Sequence, residues 1–136
     1  MQKIMEATFP HNLQVAAQIG DHTLIADQST YAGGDGTAPA PFGFFLYSIV
    51  SCGAFYALAF CKQRGIDTTD MRVELLANQD PATRLFTEFH LKLITPKDFP
   101  EKYESAIIRS MAQCAVAQHL ESGAKVSAST DLSEKT

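Results

Sequence analysis

The sequence carries no charged residue from Phe42 to Cys61, and Lys3 is the only lysine or arginine before Lys62. A first half so poor in positive charge has no patch to neutralise a phosphate backbone, which argues against nucleic-acid binding. Cysteine is scarce and odd in number, three in 136 residues. With no secretory leader at the start, that count fits reduced thiols rather than a disulfide framework, and a cytoplasmic protein is expected. His11, His22, His90 and His119 lie on separate segments without ligand spacing, so neither zinc nor another cofactor is expected. The glycines of Gly33-Gly34-Asp35-Gly36 fit neither the Walker pattern nor the Rossmann fingerprint. Ser51 lacks a nucleophile-elbow context. There is no internal repeat, and the length is that of one domain, residues 1–136, or one protomer of a small oligomer.

What the chain does have is a long apolar stretch, Pro41 to Gly65. Pro41 suits the first helical position, Lys62 and Arg64 meet the negative end of a helix dipole, and Gly65 suits the left-handed cap. About 22 helical residues would span roughly 33 Å. That length would also cross a bilayer, but polar Ser48, Ser51 and two tyrosines interrupt the run, and amphipathic strands that need a core follow it. A soluble helix apolar on all sides has to be enclosed on all sides, by this chain or by a second one.

Around the helix the pattern is that of strands. Residues 3–9 read as a first strand, Asn12 to Ile19 alternate as a second, and Gly20-Asp21 turns the chain into a third over His22 to Ala26. After the helix, Met71 to Leu75 and Leu85 to Leu93 alternate as a fourth and a fifth strand, with a turn at Asn78 to Ala82. From Glu101, residues Tyr103, Ala106, Ile107, Ser110, Met111 and Cys114 form one helical stripe, which places Cys114 on an inward helix face. Val116 and Leu120 extend that helix or start another, and Gly123 stops it. Val126, Ala128 and Thr130 suggest a last strand before a frayed tail, Ser133 to Thr136. The expected order is βββ-α-ββ-α(α)-β, an α+β fold of antiparallel sheets wrapped around a long central helix.

On a helical wheel, Phe45, Ser48, Ile49, Phe55, Tyr56 and Ala59 share the face of Cys52. Cys61 lies about 180° round and reads as a small apolar filler. If the two helices pack together, Cys52 and Cys114 can meet. Such a pair supports peroxide reduction: one thiolate becomes a sulfenic acid and the second thiol closes a disulfide.

The stretch GGDGTAPAPFGFFLYSIVSC, the Arg64-Gly65-Ile66-Asp67 exit of the helix, and MAQCAVAQHL with Cys114 and Val116 resemble the OsmC/Ohr family (osmotically inducible protein C and organic hydroperoxide resistance protein). The resemblance covers nearly the whole chain. It implies a single OsmC-like domain in an intertwined homodimer, with Cys52 as the peroxide-reacting thiol, Cys114 as the resolving thiol and each site at the dimer interface. It also implies thiol-dependent reduction of organic hydroperoxides, with a lipoyl-type dithiol as reductant. The sequence departs from the family's peroxidases at Phe42, where they carry glutamate, and in having no arginine before Arg64. It therefore looks like a divergent branch without the Arg–Glu pair, and Cys52 is expected to be less ionised for lack of a neighbouring cation. An apolar lining of Phe42, Phe45, Ile49, Phe55 and Tyr56 suits a lipid-like or aryl peroxide. The alternative is a non-enzymatic module of the same fold that binds an apolar ligand or senses oxidation. A hot-dog thioesterase ranks last, because the helix carries no carboxylate from Phe42 to Cys61.

Overall fold

The computed structural model describes residues 1–132; the expected tail, Ser133 to Thr136, lies outside the described residues. The chain forms two compact units, Met1–Ser48 and the remainder from Ile49. The long helix α1 (Pro41–Gln63) begins in the first and ends in the second.

In the first unit, β1 (Ala7–Thr8), β2 (Val15–Ile19) and β3 (His22–Ala26) form the expected antiparallel meander, with Ala7 opposite Ala17 and Val15 opposite Ala26. The first two strands are shorter than the alternation suggests. Only Ala7 and Thr8 find partners on β2. The second strand cannot start at Asn12, because the chain is still turning there. The Gln14 N–H donates back to the His11 carbonyl at 2.8 Å, and Asn12 sits at φ 47° with its side-chain amide donating to the Gly33 carbonyl at 3.0 Å.

The loop after β3 is built on Asp27, a carboxylate only 1% exposed. It accepts hydrogen bonds from the Gln28 N–H (2.7 Å), the Thr37 N–H (3.0 Å) and the Thr37 hydroxyl (2.7 Å). Buried charge is tolerated when its lone pairs are satisfied in this way. These bonds hold the Asp27 carboxyl below its ordinary pKa, the Thr37 hydroxyl contributing most. Gly34 is needed for close approach: an added Cβ would lie 2.2 Å from the Gln28 carbonyl oxygen. The glycines of this loop are thus backbone turns, as their pattern implied.

In the second unit, Ile49, Gly53, Ala57, Phe60 and Cys61 form the buried stripe of α1. Phe60 and Cys61 pack with Ile107 and Met111, and with Met71, Val73, Leu91 and Leu93 beside them. These strand residues belong to a hairpin of β4 (Arg72–Gln79) and β5 (Phe86–Ile94), in which Val73 faces Leu93 and Leu75 faces Leu91. Gly53 lets β5 press on the helix, since a Cβ there would lie 2.3 Å from Leu91 Cδ1. At the end of α1, Gly65 takes φ 65° and the Ile66 N–H reaches back to the Cys61 carbonyl at 3.0 Å, a left-handed helix stop. The Arg64 guanidinium lies 3.5 Å from the Phe60 ring centroid and donates to the Phe60 carbonyl.

The C-terminal half differs from expectation in two places. The helical stripe from Tyr103 does not run unbroken to Cys114. A 3-10 turn (Glu101–Tyr103) leads into α2 (Glu104–Met111), the chain breaks, and α3 (Ala115–Ser122) starts afresh before Gly123. Ile107 and Met111 are buried as the stripe requires, whereas Cys114 stands between the helices. The expected last strand is absent: residues 124–132 pair with no strand, and Val126 is 99% exposed. Alternation makes a strand only where a sheet edge receives it. The observed order, βββ-α-ββ-αα, is an α+β arrangement with two antiparallel sheets and three helices.

Candidate functional site

Cys52 is held near the middle of α1, beside the glycine that admits β5. It is half-buried, while Cys114 is fully buried. Cys114 has left helical geometry (φ −53°, ψ 120°) and caps α3, its sulfur accepting the Ala117 N–H at 3.4 Å. The break before α3 leaves Cys114 as the N-cap of that helix. Cys114 and the backbone N–H groups of Ala115 and Val116 lie near enough to Cys52 to shift its ionisation.

These donors act on charge. The Cys114 hydrogen bond, followed by the Val116 and Ala115 N–H groups, holds the Cys52 thiol below its ordinary pKa against the opposing effect of burial. These uncharged donors lower the thiol from its ordinary value without the cation whose absence led to the expectation of a less ionised Cys52. Cys114 moves the other way: burial pushes it up, and so does its role as donor to Cys52. Of the two thiols, the half-buried one has its pKa lowered and the buried one has its pKa raised.

Cys61 stays apart, as its wheel position implied. It is buried, its sulfur 3.9 Å from Met71 Sδ, and burial raises its pKa. Among the aromatic candidates, Phe42 packs on Phe45 (centroids 5.2 Å apart) and Phe55 edges onto Tyr56 (5.5 Å). Phe55 is 60% exposed. A cavity of about 1030 Å³ opens between β5 and the α2–α3 region, lined by Leu91, Phe99, Ile107, Met111 and Leu120. Of the five proposed pocket residues, Ile49 alone lines it, and neither Cys52 nor Cys114 does. No cluster of three or more metal-ligating side chains occurs among the described residues.

The OsmC-like protein family matches residues 34–129, from the glycine loop through α1 and the Cys114 segment to the region beyond α3. The chain belongs to the OsmC-like family. No curated protein matches it. Among solved structures, this OsmC-like chain is similar to a protein of Psychrobacter arcticus 273-4 described as an osmotic stress induced and detoxification response protein (TM-score 0.67, 19% identity, covering 88% of this chain and 90% of the other). It is also similar to an OsmC like protein from Mycoplasma pneumoniae (TM-score 0.65, 12% identity, 89% and 88% covered). A third is a protein of Vibrio cholerae O1 biovar eltor str. N16961, described as an organic hydroperoxide resistance protein with captopril bound in one of its active sites (TM-score 0.51, 16% identity, 88% and 85% covered). At these identities the likeness is one of fold.

The cap that Cys114 makes on α3 is the feature of this candidate site that sequence reasoning missed. The usual cap signals are Ser, Thr, Asp or Asn, and a cysteine in that position gives no such signal. Neither proline nor glycine marks the break between Met111 and Ala115.

Proposed function

We propose that this OsmC-like chain reduces organic hydroperoxides at the expense of a dithiol, through Cys52 and Cys114. The observation that carries this reading is that half-buried Cys52 and buried Cys114 act on each other, the Cys114 thiol being the chief cause of the lowered Cys52 pKa. In the reaction, the Cys52 thiolate attacks one peroxide oxygen. The O–O bond breaks, the alcohol leaves after taking up a proton, and Cys52 becomes a sulfenic acid. Cys114 then attacks the Cys52 sulfur, water departs and a disulfide closes. A dithiol of the lipoyl type restores both thiols by two exchanges.

Membership in the family that includes organic hydroperoxide resistance proteins supports the substrate class. We assign Phe42, Phe45, Ile49, Phe55 and Tyr56 to an apolar approach to Cys52, and the protein to the cytoplasm as a homodimer. The dimer is supported by exposed Phe55 and Leu58 on a helix otherwise apolar, and by the apolar cavity beside β5 that this chain leaves unfilled. A second reading, a redox sensor that oxidises once or an apolar-ligand carrier, is favoured by Phe42 standing where the family's peroxidases carry glutamate.

Turnover separates the two. With a lipoyl-type dithiol present, wild type should consume cumene hydroperoxide catalytically and faster than hydrogen peroxide. Cys52→Ala should abolish turnover, and Cys114→Ala should stall after one oxidation. Oxidation of Cys52 no faster than that of a free thiol, with no cycling, would leave only the second reading.

A further inference from the structure

The thiol chemistry leaves the cavity between β5 and the α2–α3 region unused, since neither Cys52 nor Cys114 lines it. Its volume is about 1030 Å³, at the upper end of small-molecule sites, which usually measure about 300–1,000 Å³. The interior is apolar. Phe89, Leu91, Phe99, Ile107 and Met111 line it, the last two buried. Such a wall gains by taking a hydrocarbon body out of water.

The polar part of the lining is lopsided in charge. Glu101, Glu104 and Glu121 belong to it and are exposed. No ion pair among the described residues uses any of the three. The other titratable groups on the lining are Glu88, His90 and Lys92. Glu88 accepts from the Asn78 side-chain amide at 2.9 Å, and the Lys92 ammonium lies 3.9 Å from Glu74, which is not on the lining. Glu101 and Glu104 open the 3-10 turn and α2, where a carboxylate suits the helix dipole. Glu121 stands in the last turn of α3, where a carboxylate opposes the dipole. A cation in the cavity would offset that opposition.

We infer that this cavity binds a cationic amphiphile, a molecule with an alkyl or aryl body and an amine or quaternary ammonium head. The body fills the apolar interior, and the head is drawn to Glu101, Glu104 and Glu121. The inference does not rest on the peroxidase reading, because the thiols lie outside the lining. Phe55 and Leu58, the exposed α1 side chains assigned to the dimer, are not part of it either. A second copy of the chain is the competing occupant.

The test is calorimetric titration of the full chain with decyltrimethylammonium and with decyl sulfate, both below their micelle concentrations. The two probes share an alkyl chain and differ in the charge of the head. The cationic probe should bind saturably, one per chain, with far-UV circular dichroism unchanged. At low salt it should bind about tenfold more tightly than the anionic one, the combined effect of about three exposed charge pairs. Salt at about 1 M should shrink that preference. Glu101→Gln, Glu104→Gln and Glu121→Gln together should bring the two probes to equal affinity. Leu120→Trp puts the sole tryptophan of the chain on the lining, and its emission should shift to the blue over the same range of probe concentration. Equal affinity for the two heads in wild type, uptake that does not saturate, or an unmoved tryptophan overturns the inference. So does an affinity that falls as rising chain concentration drives dimer formation, because a second copy is then the occupant.

Discussion

Cys114 caps α3, its sulfur accepting the Ala117 N–H at 3.4 Å, and its thiol is the chief cause of the lowered Cys52 pKa. One residue thus fixes the start of a helix and shifts the ionisation of the neighbouring thiol. The two are linked, because the N–H groups of Ala115 and Val116, at the helix start that Cys114 caps, also lower the Cys52 pKa.

Replacing Ala115 by proline removes one of those donors and leaves the helix intact. Ala115 is the first residue of α3, where proline is well tolerated. Cys114 at ψ 120° already has the extended backbone that a following proline demands. The Cys52 pKa in Ala115→Pro should rise towards the ordinary thiol value of about 8.5, with far-UV circular dichroism unchanged. The check is the pH dependence of iodoacetamide labelling at Cys52, and an unshifted profile would show that the backbone donors do not matter.

The two thiols should separate on titration. Cys52 is held below the ordinary thiol range and Cys114 is pushed above it. Alkylation followed by peptide mapping should therefore label Cys52 first as pH rises, and Cys114 only in more alkaline solution. In Cys114→Ala the Cys52 labelling curve should move to higher pH, since its strongest stabilising donor is gone.

Gly53→Ala tests the approach of β5 to α1. The added methyl meets Leu91 Cδ1 at 2.3 Å, and such overpacking costs about 1–3 kcal/mol. Alanine's better helix propensity returns about 1 kcal/mol. A net loss of about 1 kcal/mol is expected in the denaturant midpoint, and a gain in stability would mean that Leu91 moves aside freely.

Asp27 should make the fold acid-sensitive. Its pKa is lowered from 3.8 in the folded chain, chiefly by the Thr37 hydroxyl. Its contribution is therefore fully present above that value and lost as pH falls through the lower, folded-state pKa. Thermal melts should show wild type losing Tm in that acid window. Asp27→Asn should have a lower Tm at neutral pH and a flatter response to acid there.

Much of this protein is determined locally. The bounds of α1 follow from Pro41, the last-turn cation and Gly65, whose preferences act within a few residues of backbone. The meander and the β4–β5 hairpin follow from two-residue alternation, and Cys61 is separated from Cys52 by helical geometry alone. The tertiary structure decided the rest. Whether residues 124–132 form a strand depends on a sheet edge elsewhere in space receiving them, and none of the five described strands pairs with them. The break before Ala115, the N-cap made by Cys114 and the lowered pKa of Cys52 depend on packing between segments more than sixty residues apart in sequence. Periodicity placed Cys114 on a face; only packing could set its sulfur against Cys52, because a hydrogen bond and a helix dipole act through space and leave no spacing in the chain.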